Sequence, residues 1–341
     1  MKIGVNARLL QEKHHTGIQN YFNGLYSEIK SIDFENQYFF FRNPSIKNAF
    51  FDLLGVKNQI KKAQINIFHS LTPALPVGSK NCFYLATVHD LGFKIMPELA
   101  RKKDILYYNF VFRNLIRKAD LVLVDSESVK QELTAFYPIL ESRIRTVELG
   151  LDAFYLQKEQ NQYLEQIRQK YFFTDKKIVF ANSAHSPRKN TNALIKAVKD
   201  IPGCYLVISG LINNAVKIDK QSNVIALGYL PKREIRALYQ LCDAFVYPSL
   251  YEGFGLPILE AMASKAIVLA SDISVFKEII NNNSLLFDPG NPEQMAERIS
   301  SHLNSSQEQK QNIIASYQES LNRFTWNKAA RKMIDIFNSL K

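Results

Sequence analysis

Cysteine is scarce in this sequence: Cys82, Cys204 and Cys242 are the only three in 341 residues. None stands in a CxxC pair or beside a histidine at metal-ligand spacing. That excludes a disulfide framework and a zinc module, fits a reducing compartment, and leaves the three thiols as packing residues. Long apolar runs are missing too. The opening MKIGVNARLL is short and broken by Asn6 and Arg8, so it does not read as a secretory signal. No run approaches the roughly 18 apolar residues that a membrane-crossing helix needs. No GxGxxG follows the first strand-like run, which disfavours a dehydrogenase. Zinc-finger spacing and RNP-like aromatic motifs are absent, so charge alone motivates a nucleic-acid reading. Low-complexity tracts and short repeats are absent as well.

What is present is an ordinary globular composition, 46% hydrophobic and 22% charged. The length suits two domains, each able to bury its own core. The formal net charge is +11, with an excess of +4 over residues 1–165 and +7 beyond. Such an excess favours phosphorylated ligands, acidic membrane or nucleic acid without choosing among them. Surplus surface lysine is an equal reading.

Short β-branched or aromatic runs alternate with longer helix-like stretches. They lie at 3–6, 38–41, 65–69, 83–88, 121–124 and 144–148, then at 178–181, 205–209, 224–227, 244–247, 267–270 and 285–287. This order predicts an α/β chain with parallel sheets. Ser126 is the expected cap of a helix over 127–136, which Tyr137-Pro138 ends. The segment 101–118 is also helical in period. It reads either as an amphipathic helix that touches a membrane or as an ordinary helix with one buried face. The division is expected near 165, after the polar stretch 157–169. That gives a first domain over 1–165, a second over 166–325, and a closing helix over 326–341.

The most specific segment is YPSLYEGFGLPILEAMA, residues 247–263. A strand ends at Tyr247, a glycine-bearing loop follows, and Pro257 opens a helix, with Glu260 expected in its first turn. Gly253 and Gly255 let backbone approach a ligand. Amides of Phe254, Gly255 and Leu256 precede a helix N-terminus, which attracts anions. Glu252 and Glu260 are carboxylates that can accept hydrogen bonds from sugar or ribose hydroxyls.

The string EGFGLPILEAMA resembles the donor-site motif of the retaining glycosyltransferases of family 4, which have the GT-B fold of two Rossmann-like domains. The resemblance covers nearly the whole chain. It implies that Glu260 binds the nucleotide ribose, that Glu252 contacts the donor sugar, and that the three amides face sugar and phosphate. Four further segments match in order. TGIQNY at 16–21 is similar to the family's glycine loop, with Gly17 near the diphosphate; a helix start capped by Thr16 is the plainer reading. His89, in Val88-His89-Asp90, would reach the donor sugar. In Pro187-Arg188-Lys189-Asn190, Lys189 and then Arg188 would bind the diphosphate. Tyr229, in Gly228-Tyr229-Leu230-Pro231, would cover the base or simply pack. Two departures stand out: Asn182, Ser183 and Ala184 occupy a stretch where some members carry an arginine, and Lys265 and Ile267 replace the family's frequent Gly and Pro. Trp326 would pack the closing helix back on the first domain.

By this resemblance the chain is a retaining hexosyltransferase. Its expected partners are a nucleotide-diphosphate sugar, mannose or rhamnose favoured, and a glycan or lipid-linked oligosaccharide acceptor in surface polysaccharide synthesis. His89, Lys189 and Glu252 are the expected catalytic residues. No DxD triplet occurs, so neither a metal nor a cofactor is expected, with basic side chains and a helix dipole in the metal's place. The expected location is the cytoplasm, with peripheral contact at the inner face of an anionic membrane left open. A GT-B-fold epimerase or hydrolase and a non-catalytic partner subunit remain as alternatives. Nucleic acid is not an expected partner.

Overall fold

The computed structural model describes residues 1–11, 17–42, 51–173, 176–182, 186–210 and 223–340. Thr16, Ser183 and Ala184 lie outside them. The chain divides into two compact units, 1–150 with 324–341, and 151–323.

The first unit is built on β1 (Lys2–Asn6), β2 (Gln37–Phe41), β3 (Ile67–Ser70), β4 (Phe83–Val88), β5 (Leu121–Val124) and β6 (Ile144–Thr146). They form one sheet in the order β2-β1-β3-β4-β5-β6, and every pair is parallel. Most inner residues are buried on both faces, so the strands read as continuous apolar runs rather than alternating ones. Phe68, Tyr84, Phe112, Leu115 and Val122 belong to the core cluster on one side of this sheet. Ser126 accepts from the Val129 amide at 3.1 Å and caps the helix Glu127–Phe136.

The second unit repeats the plan with β7 (Lys177–Asn182), β8 (Cys204–Ser209), β9 (Val224–Gly228), β10 (Ala244–Tyr247), β11 (Val268–Ser271) and β12 (Leu286–Phe287). The order is β12-β11-β10-β7-β8-β9, again parallel throughout. Strand order reverses direction between β7 and β10. In open α/β sheets, ligands bind outside the strand C-termini at such a switch point.

The chain enters the second unit at Leu151, ahead of the division expected near 165. The reason is a strap of residues 151–160 pinned to the helix Lys232–Leu241. Asp152 pairs with Lys232, and buried Glu159 accepts from Arg236 Nη2 at 2.5 Å and Arg233 Nη2 at 3.1 Å. The helix Trp326–Asn338 packs on the helix Gly17–Ile32 of the first unit. A Cβ on Gly24 would stand 2.1 Å from the Trp326 indole, and one on Gly150 would stand 2.1 Å from the Trp326 backbone nitrogen. Both positions therefore exclude any side chain.

Candidate functional site

The reversal in the second sheet brings two loops together. The segment after β7 carries Arg188 and Lys189, and the loop after β10 carries Glu252. The Leu250 amide donates to the Arg188 carbonyl at 2.8 Å, which ties the loops. Lys189 Nζ donates to Glu252 Oε1 at 2.6 Å and to Tyr247 Oη at 2.8 Å. Tyr247 Oη in turn donates to Glu252 Oε1 at 3.1 Å. Arg188 Nη1 reaches Glu252 Oε2 at 3.3 Å and the Tyr251 carbonyl at 3.0 Å.

These side chains are mostly shielded from water, and the shielding sets their charges. Burial alone would push the Glu252 carboxyl up, but Lys189 and Arg188 outweigh it and hold it below its ordinary value. Burial alone would lower Lys189, but Tyr247 and Glu252 outweigh that and raise it. Tyr247 is pushed up to about 12, first by burial and then by Glu252. The cluster is thus an ionised pair with a neutral phenol, stable across neutral pH.

Next to this cluster the helix Leu256–Ala263 begins at Gly255, whose φ of +126° favours glycine. Phe254 and Gly255 are buried. Of its first amides, Ile258 donates to the Gly255 carbonyl at 2.9 Å and Pro257 carries no N–H, which leaves the Leu256 amide at the helix start. Pro257 is the second residue of the helix. Glu260 is its fifth, which corrects the expectation of the first turn. Because the helix starts at Leu256 rather than Pro257, Glu260 stands one residue past the first turn. Among the described residues no cation forms an ion pair with it. Tyr239 Oη donates to its Oε2 at 3.3 Å, and the Tyr155 phenol acts on it in the same direction. Burial raises the Glu260 carboxyl to about 7, against the smaller opposing effects of Lys232 and the two phenols. Tyr229 follows β9 and is 53% exposed, so it does not pack into the core.

The other two expected residues belong to the first unit. Gly17 is the first residue of its helix, and a Cβ there would meet nothing within 4 Å. His89 follows β4, half-buried, with Nδ1 2.6 Å from Asp125 Oδ2 and Nε2 3.0 Å from the Leu71 carbonyl. Burial pushes the Asp125 carboxyl up and His89 opposes this; with Asp125 ionised both partners accept, both ring nitrogens donate, and the ring is an imidazolium. Burial would lower its pKa, but Asp125 outweighs burial and raises it. The Tyr21 ring stands edge-on to His89 at 5.0 Å. Behind it, His69 bridges Tyr26 Oη at 2.6 Å and Thr87 Oγ1 at 2.8 Å. Burial, then the charge of His89, brings His69 down to about 3, so it is neutral.

Sequence reasoning missed Asp125, Tyr155, Tyr239 and the role of Tyr247. For Asp125 the strand order supplies what the sequence did not. Val88 pairs with Val124 in the parallel register, so His89 and Asp125 leave adjacent strands side by side.

Two family models match this chain in tandem. The model described as Glycosyltransferase Family 4 matches residues 24–153, and the one described as Glycosyl transferases group 1 matches residues 164–319. The chain is similar to O-antigen chain mannosyltransferase B of Escherichia coli, 27% identical over 272 residues, which cover 75% of this chain and 70% of that protein. It is similar to O-antigen chain mannosyltransferase RfbU of Salmonella typhimurium, 29% identical over 213 residues, or 60% of this chain. There the match spans 56% of the relative's length. Among solved structures, Anabaena Alr3699/HepE in complex with UDP and glucose superposes with a TM-score of 0.74 at 19% identity, covering 99% of this chain and 100% of that one.

Proposed function

The chain belongs to the family 4 glycosyltransferases and has their GT-B fold, and on that premise we propose that it moves a hexosyl group from a nucleoside-diphosphate sugar to a glycan or lipid-linked oligosaccharide, with retention at the anomeric carbon. The carrying observation is the Lys189–Glu252–Arg188 cluster at the switch point of the second sheet, beside a helix N-terminus. The relatives that are O-antigen mannosyltransferases support a mannosyl donor, with rhamnosyl next, and a place in surface polysaccharide synthesis.

As the bond from anomeric carbon to phosphate breaks, negative charge grows on the leaving diphosphate. Lys189, Arg188 and the amides of Phe254, Gly255 and Leu256 stabilise it. Fixed donors of this kind are worth a few kcal/mol each. Glu252, released from Lys189 by the incoming phosphates, turns to the sugar hydroxyls. Glu260 accepts from the ribose and Tyr229 covers the base. Gly17 leaves room for backbone to approach the diphosphate, and His89 supplies a fixed positive charge toward the donor sugar. The charge on the diphosphate is neutralised by protein groups, and no metal enters the reaction.

A lipid-linked acceptor calls for a chain that works at a membrane surface. Among the described residues no helix is long and apolar enough to cross one. The helix Lys102–Lys118 turns Val111, Phe112 and Leu115 inward. Its outer stripe is Lys102, Leu106, Phe110, Arg113 and Arg117, with Leu106 73% and Phe110 51% exposed. Large apolar side chains flanked by cations suit peripheral contact with anionic lipid on the cytoplasmic face.

The test is transfer assayed with GDP-, UDP- and dTDP-sugars against a lipid-linked oligosaccharide, with the product's anomeric configuration read by NMR. Transfer with retention from one donor class supports the reading. Free sugar released at the same rate with and without acceptor would replace it with a hydrolase.

A further inference from the structure

Glu260 has unusual neighbours for a carboxylate. Lys232, the basic residue whose charge it feels, is drawn to Asp152 instead. Tyr239, from the helix Lys232–Leu241, donates to the carboxyl, and Tyr155, from the strap, brings a second phenol to bear on it. Both rings are almost wholly buried, and their centroids stand 6.0 Å apart at 67°. Burial raises both hydroxyls well out of the physiological range, so they act as donors at any working pH.

The strap holds Tyr155 in place through its other contacts. Arg236 Nη1 donates to the Phe154 carbonyl at 2.6 Å and to Gln157 Oε1 at 3.0 Å, while its Nε and Nη2 grip Glu159. Ser264 Oγ donates to the Tyr155 carbonyl at 3.3 Å. Arg236 and Tyr239 are three positions apart on one helix and so share a face. One helix therefore supplies a phenol directly and fixes the second through the strap.

We propose that Tyr155 and Tyr239 are positioning residues for Glu260, and that the strap 151–160 is for this reason a working part of the nucleotide site. The inference rests on the reading of Glu260 as the carboxylate that grips the nucleotide. A carboxylate has about four lone-pair directions. One is spent on Tyr239, which with Tyr155 behind it orients the group and leaves the others for a vicinal diol. Donors to a carboxylate also favour its ionised form, the form a diol needs. Among the described residues, four titratable groups act on Glu260: Tyr155, Tyr239, Lys232 and Asp152. Of these only the phenols are uncharged, so removing one hydroxyl alters orientation and ionisation with little change in net charge.

The experiment is calorimetric titration of the full chain with UDP and with GDP between pH 5.5 and 8.5. It compares the wild type with Tyr155→Phe, Tyr239→Phe and Glu260→Gln, each checked by its melting transition. The wild type should lose affinity as the pH falls below about 7, where Glu260 takes up a proton. Glu260→Gln should bind weakly with no such dependence. Each Phe variant should bind about tenfold more weakly at pH 7, the loss of one charge-assisted hydrogen bond. Its pH midpoint should move upward, and much of the loss should recover at pH 8.5. Two Phe variants that superpose on the wild type while Glu260→Gln is weak and flat would overturn the inference and leave the nucleotide-binding role standing. A Glu260→Gln variant that binds both nucleotides like the wild type would remove that role, and the inference with it.

Discussion

Lys189 Nζ lies 2.6 Å from Glu252 Oε1, so the cation proposed to meet a leaving diphosphate is already matched by an acid from the loop after the neighbouring strand. Exchange of one anion for another requires no new desolvation of the lysine. Lys189→Ala is therefore expected to lower turnover about 100-fold, and the melting transition should survive, since Arg188 and Tyr247 still contact Glu252. Steady-state kinetics on the donor identified above measures this. Turnover near the wild-type level would remove Lys189 from the site.

Excess EDTA should leave the rate of transfer unchanged. Lys189, Arg188 and a helix N-terminus carry the charge a divalent ion would otherwise supply. A loss of activity that manganese restores would contradict this.

His89 should titrate above its ordinary 6.5, and Asp125→Asn should bring it below. With the carboxylate gone, burial governs and favours the neutral ring. The raised value makes the imidazolium a source of stability that is complete below pH 6.5 and lost as the pH climbs through the folded-state midpoint. Imidazole NMR shifts followed against pH in both proteins report the two midpoints. Identical midpoints would mean that Asp125 does not set the charge.

Gly24→Ala should destabilise the first unit by about 1–3 kcal/mol, because the added methyl enters the Trp326 ring. Trp326 is the single tryptophan of the chain, so its fluorescence during urea denaturation reports this contact directly. Gly17→Ala is the comparison, with open space at the Cβ position and an expected change within about 0.5 kcal/mol.

Replacing Leu106 and Phe110 together by Ser should weaken co-sedimentation with phosphatidylglycerol vesicles about tenfold and leave the melting temperature in place, since both side chains point outward. Equal binding by the variant would move any lipid contact elsewhere.

Much of the fold was legible because buried parallel strands are written as short β-branched runs. Each of the twelve runs falls on an observed strand, and the Ser126 cap needed only local chemistry. The unit boundary was not legible. The strap at 151–160 is polar and looks like a linker, and its anchors, Arg233 and Arg236, lie about eighty residues away. Glu260 was misplaced by one residue, because proline is tolerated anywhere in a helix's first turn and Pro257 could not fix the start. The partners of His89 and Glu260 were invisible for a different reason. Asp125, Tyr155 and Tyr239 meet them only through strand order and helix packing, neither of which is encoded at a short spacing.

The return of the helix Trp326–Asn338 to the first unit has a consequence for biosynthesis. The ribosome delivers the whole second unit before the element that covers Gly24 and Gly150 emerges. During translation the early half must wait with an uncovered helix face, and its final closure is a late event that follows the folding of its neighbour.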